Sequence, residues 1–87
     1  MKQVFKYEIP SGDTFCIGLE PGAEILTVQI QHGIPNIWAL VDPYQSTELR
    51  HFRLSGTGLP ITEEGLKYIG TFQLREGSFV GHLFEIL

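Results

Sequence analysis

Residues 34–58 read IPNIWALVDPYQSTELRHFRLSGTG, and the rest of the chain is organised around them. Asn36 to Val41 is a short apolar run closed by the pair Asp42-Pro43. Its length, its β-branched and aromatic residues and the turn pair at its end predict a strand covered on both faces. Pro43 presets φ for the turn, and Asp42 can accept hydrogen bonds from the amides beyond it. From Thr47 onward, alternation puts Arg50, Phe52 and Leu54 on one side and Leu49, His51, Arg53 and Ser55 on the other. Neither side is cleanly apolar, so one of them is expected to meet solvent, a partner subunit or a ligand.

The second half of the stretch runs into Gly56-Thr57-Gly58-Leu59-Pro60. Two glycines around a hydroxyl residue let a backbone approach an anion closely and aim its N–H groups at it. Arginine suits phosphate because its donors form a planar fork. Arg50 and Arg53 lie three apart, however, and in one regular strand they point to opposite faces. Only one of them can share a site with the glycine loop unless a bulge or a second subunit intervenes. The plainer reading is a glycine turn between two elements with two solubilising arginines.

The same two-residue rhythm continues on either side. Val4 to Ile9 alternates Phe5, Tyr7 and Ile9 against Val4, Lys6 and Glu8, and Thr14 to Leu19 aligns Phe15, Ile17 and Leu19. Glu24 to Gln31 sets Leu26, Val28 and Ile30 against Thr27, Gln29 and Gln31. Gly33 and Pro35 interrupt before the tryptophan strand, where proline fits a strand start or an edge. After the glycine loop, Thr62-Glu63-Glu64 could open at most one helical turn before Gly65 ends it. Tyr68 to Leu74 and Ser78 to Ile86 read as strands joined through Arg75-Glu76-Gly77. In the last strand Val80, His82, Phe84 and Ile86 share a face, where His82 is expected as a hydrogen-bonded core histidine. The sum is an all-β domain spanning 1–87, with about seven short, mostly antiparallel strands in a small sandwich or barrel. Edge strands and small size favour an oligomer.

The chain has 87 residues, is 43% hydrophobic and carries a net charge of −4, with ten acids against six bases. That balance argues against a duplex nucleic-acid binder, which needs a concentrated basic face. It leaves room for a small anion, which one or two placed arginines can hold. Cys16 is the only cysteine, so no internal disulfide forms, and its run predicts a small buried or half-buried side chain. No apolar run approaches the roughly 20 residues of a membrane-spanning helix, and the N-terminus lacks a secretory apolar region. A cytoplasmic location is the expectation.

Catalytic signals are sparse. His32, His51 and His82 stand singly on different segments, without the paired spacing of a metal site. Ser11, Ser46, Ser55 and Ser78 lie in turns or at strand ends, none in a nucleophile elbow. Cys16 is flanked by the acids Asp13 and Glu20, which disfavour a thiolate. No phosphate-loop or dinucleotide fingerprint appears, and no cofactor is expected. The aromatic residues offer more. Trp38, Tyr44 and Tyr68 could present stacking faces to a base, whereas Phe52 and Phe72 are expected in the core. Tyr44, after Asp42-Pro43, is the one most expected to be exposed.

At VFKYEIP, WALVDP, FRLSGTGLPI, YIGTFQL and the closing HLFEI the chain resembles a family of small uncharacterised conserved bacteriophage proteins, over nearly its whole length and in the same order. By analogy with small oligomeric phage proteins, the resemblance implies a sponge of the anti-CBASS or anti-Thoeris type. Such a protein sequesters a nucleotide immune signal in the host cytoplasm without transforming it. A sponge needs aromatic faces, phosphate donors and base-edge groups. Asn36, Trp38, Tyr44, Arg50, Arg53, Thr57, Gly58 and Tyr68 are the residues expected to supply them to a cyclic di- or oligonucleotide. The alternatives are a protein–protein module docking on a host protein and, more distantly, a cupin-like metal-dependent enzyme.

Overall fold

The computed structural model describes residues 1–87. Seven strands follow one another: β1 (Gln3–Glu8), β2 (Thr14–Leu19), β3 (Glu24–Gln31), β4 (Ile34–Val41), β5 (Glu48–Gly56), β6 (Leu66–Leu74) and β7 (Phe79–Ile86). All pairings are antiparallel. They build a three-stranded sheet in the order β1-β4-β3 and a four-stranded sheet in the order β2-β5-β7-β6. Strand β3 of the first lies against β6 of the second, but the two sheets do not pair into a closed barrel.

Alternation decides which side chains meet between the sheets. Val28, Ile37, Ala39 and Val41 of the three-stranded sheet form one core with Phe15, Leu19, Phe52, Phe72 and Leu83 of the other. The Phe15 and Phe52 rings stack with centroids 5.2 Å apart. Phe52 and Phe72 are thus core residues, as their patterns require. The β3–β4 hairpin turns through His32 (φ 52°) and Gly33 (φ 78°), a left-handed pair that matches the strand twist. Pro35, second in the central strand β4, gives up its missing donor harmlessly there, while its carbonyl accepts from Ile9 N–H at 3.0 Å. Residues 57–65 form a loop without helix, and the β6–β7 connection is a tight turn over Arg75–Gly77, whose three residues take left-handed φ values of 51°, 57° and 90°.

Three side chains lie off the faces that their sequence period suggests. Leu26, in the bulge between Ile25 and Thr27, is exposed instead of joining Val28 in the core. Cys16 is exposed on the outer face of β2 rather than buried, because Phe15, Ile17 and Leu19 take the inner positions. In β7 the inner face is Gly81, Leu83 and Glu85, so His82, Phe84 and Ile86 face outward and His82 is not a core histidine. The charged residue faces inward because Arg50 is there to receive it. Arg50 Nε and Nη2 donate to the Glu85 carboxylate at 2.6 and 2.8 Å, and Nη1 donates to the Ala23 carbonyl at 2.6 Å.

Candidate functional site

The outer face of the four-stranded sheet gathers Tyr68, Thr71, His82 and Thr57, joined by hydrogen bonds, together with Arg53. The register of β6 against β7 places Tyr68 opposite Phe84 and Thr71 opposite His82, with an irregularity between Tyr68 and Gly70 that brings both pairs to the same face. The Tyr68 ring meets Phe84 edge-on, with centroids 5.6 Å apart, and is 57% exposed. Such a ring on an open sheet surface can take a planar ligand on its free face.

Beside it runs a row of hydrogen bonds. Tyr68 Oη lies 2.6 Å from Thr71 Oγ1, which lies 2.9 Å from His82 Nδ1, and His82 Nε2 lies 2.6 Å from Thr57 Oγ1. A neutral imidazole accepts at one nitrogen and donates at the other. The row therefore runs in one direction, for example from Tyr68 through Thr71 to Nδ1, with Nε2–H donating to Thr57. Thr57 reaches His82 because Gly58 turns the loop at φ 85° and Leu59 N–H donates back to the Gly56 carbonyl at 3.2 Å.

Arg53 sits on the same face, in the row of Tyr68 and Phe84. Its Nε donates to Glu63 at 3.0 Å, while Nη1 donates to the Leu54 and Asp13 carbonyls at 2.9 and 3.3 Å. A hydrogen bond from its own backbone N–H, and then the Arg53 guanidinium, hold the Glu63 carboxyl below its usual range. Arg53 is thereby held in place by carbonyls, with one solvent-reachable carboxylate as its counter-charge.

Of the residues expected at a ligand site, the fold brings together Arg53, Thr57, Gly58 and Tyr68. Arg50 lies on the opposite, inner face, turned to Glu85. Two clefts of about 360 and 250 Å³ open beside that pair, both bordered by Arg50, Lys67 and Glu85. Tyr44 stands 86% exposed on the turn after β4, its N–H donating to Asp42 Oδ1 at 3.1 Å. Asn36 and Trp38 belong to the other sheet. Asn36 is buried, donates to the Ile34 carbonyl at 2.8 Å and leaves Oδ1 without a partner. Trp38 is half-buried beside a shallow depression of about 300 Å³ shared with Val4, Leu26, Thr27 and Gln29.

His82, Thr71 and Phe84 were not expected at the site. Their signal was present only as cross-strand register, which depends on the irregularity after Tyr68 that a two-residue period does not announce. Cys16 and His51 are a second unforeseen pair, directly opposite across β2 and β5, with Sγ 3.1 Å from Nδ1. No three His, Cys, Asp or Glu side chains of the chain converge where they could hold a metal ion. No helix is long and apolar enough to cross a membrane.

Fold and face together define a small protein of two antiparallel sheets that presents an aromatic and hydroxyl-rich platform on the outer side of the larger one. The chain belongs to a family described as a domain of unknown function (DUF7352), whose model matches residues 1–86. No curated protein and no solved structure matches it.

Proposed function

We propose that this is a non-enzymatic binding protein that takes up a small nucleotide on the outer face of its four-stranded sheet. The resemblance to small phage proteins supports a role in withholding a cyclic nucleotide signal inside an infected cell. The observation that carries the binding reading is the exposed Tyr68 ring beside the Thr71–His82–Thr57 row. A base stacks on Tyr68, and its edge or a ribose hydroxyl exchanges hydrogen bonds with the row. Arg53 supplies the phosphate contact by exchange of anions. Its pair with Glu63 is partly exposed and screened by solvent, so a phosphate can take the place of Glu63 while the carbonyls of Leu54 and Asp13 keep the guanidinium still. A second copy laid over the platform would enclose the ligand.

Calorimetric titration with a panel of cyclic di- and oligonucleotides tests this. Binding is expected for at least one member, and Tyr68→Ala should weaken it roughly 5- to 150-fold, the equivalent of about 1–3 kcal/mol per stacked base. Silence across the panel, or indifference to Tyr68→Ala, would overturn the reading.

A second reading is favoured by the other sheet. Val4 and Leu26, 53% and 44% exposed, surround Trp38 on its outer face, and Lys6 keeps its charge there, donating to the Gln31 amide oxygen at 2.6 Å. An apolar centre with a hydrogen-bonding rim fits a protein surface of the same make-up. In that case a protein retained from bacterial lysate by the native chain is lost with Leu26→Glu and kept with Tyr68→Ala.

A further inference from the structure

We propose that Cys16 and His51 form half of a site for a transition-metal ion of the zinc class, and that a second copy of the chain supplies the other half. The two residues are direct cross-strand partners, so both side chains leave the sheet on the same side. Both are exposed, β2 is an edge strand of its sheet, and Sγ and Nδ1 already converge to 3.1 Å. Around a tetrahedral zinc ion, with bonds of about 2.3 Å to sulfur and 2.0–2.1 Å to nitrogen, the two atoms would stand about 3.6 Å apart. The present spacing therefore needs an opening of only about 0.5 Å, within reach of small side-chain rotations. A thiolate with an imidazole selects zinc or copper over the oxygen-seeking magnesium and calcium. Binding would release the thiol proton to solvent and leave the Cys16 sulfur as a thiolate ligand.

One chain offers two ligands where a structural zinc site takes four, and no third His, Cys, Asp or Glu converges on the pair. The site is incomplete without a second copy, and the surface beside it suits one. Leu49, 64% exposed, lies on the same face, and Ile86 and Leu66 continue the row of His51 across β7 and β6. Two copies meeting through this patch would bury an apolar collar around a site of two cysteines and two histidines. The inference does not depend on the nucleotide reading, because neither metal ligand belongs to the Tyr68 row.

The test uses the reduced full chain, titrated with zinc chloride under native mass spectrometry and sedimentation, and with cobalt(II) under absorption spectroscopy. The expected result is one ion per two chains, dimerisation on metal addition, and a thiolate-to-cobalt charge-transfer band. Cys16→Ser and His51→Ala should each weaken uptake by about a hundredfold or more, beyond the effect of losing a supporting outer-shell partner. His32→Asn, in the β3–β4 turn, should leave uptake unchanged. Alkylating Cys16 on the folded native chain gives the same loss without depending on how a variant folds. Uptake that survives both substitutions or alkylation, one ion per monomer, or no uptake at micromolar zinc would each overturn the proposal.

Discussion

Removing Glu85 tests whether Arg50 is scaffold or ligand. The side chains of Arg50 and Glu85 are 15% and 8% exposed, and their pair is bidentate. Two partly buried charges held this way owe their low cost to each other: the Glu85 carboxylate raises the Arg50 pKa through its hydrogen bond, outweighing the opposing effect of burial. Glu85→Ala leaves a guanidinium inside the sandwich with only the Ala23 and Glu20 carbonyls as acceptors. Breaking a buried pair on one side costs about 3–5 kcal/mol. For 87 residues the whole stability is roughly 4–13 kcal/mol, so the variant should lose a large share of it. The melting temperature should fall by roughly 12–40 °C. Replacing both partners, as Arg50→Met with Glu85→Leu, removes both charges together and should return the stability to within about 1 kcal/mol of the native chain or above it. Urea unfolding followed by Trp38 fluorescence and by circular dichroism measures all three proteins. A cost under about 1 kcal/mol for Glu85→Ala, or a double variant no more stable than Glu85→Ala, would refute the reasoning. The double variant should also keep any nucleotide affinity, because Arg50 faces away from the platform.

Two further outcomes follow from the packing and the charges. A Cβ on Gly81 would stand 2.6 Å from Cζ of the buried Phe72 ring, so Gly81→Ala should cost about 1–3 kcal/mol in thermal unfolding. Gly22→Ala, with nothing within 4 Å, should cost far less. Tyr7 has its phenol pKa raised by burial and then by the nearby Glu20 carboxylate. A raised folded value means that the neutral phenol stabilises the fold fully below about pH 10 and that this contribution is lost as pH rises through the folded value. Tyr7→Phe should therefore flatten the alkaline fall in stability, and a fall of unchanged steepness would assign it elsewhere.

Strand number and position were legible because six of the segments carry a two-residue period and β4 a short apolar run, with turn residues between them. Arg50 and Arg53 fall on opposite faces for the same local reason. What period alone does not carry is which face turns inward. In β7 the more apolar row of Val80, Phe84 and Ile86 looks outward and the row with Glu85 looks inward. That choice depends on Arg50, 35 residues away in sequence, arriving from β5 to neutralise the carboxylate. Cys16 was misplaced by the same limit, since a small polarisable side chain fits either face and Phe15 and Leu19 take the inner one. The site followed suit. Thr57, Gly58, Arg53 and Tyr68 could each be picked for their chemistry, but Thr71 and His82 become their neighbours only through the pairing of β6 with β7.

The platform also explains why its hydrogen bonds are arranged as they are. Thr57, Thr71 and Tyr68 are exposed, so water can satisfy the same donors and acceptors, and such bonds add little to folding. Their physical effect is orientation. Thr71 fixes one nitrogen of His82 and Thr57 the other, which holds the imidazole plane, while the Tyr68 hydroxyl is tied at the far end and its ring is braced by Phe84. Side chains left free on a sheet surface would lose rotamer entropy when a ligand ordered them, at about 0.5–1.5 kcal/mol each. A surface whose donors and rings are already held by one another avoids that loss, and the benefit is realised only when something binds there. The same reasoning sets Arg53 apart from Arg50. Both are anchored, but Arg53 is anchored by carbonyls that a ligand leaves in place and by a carboxylate that an anion can replace.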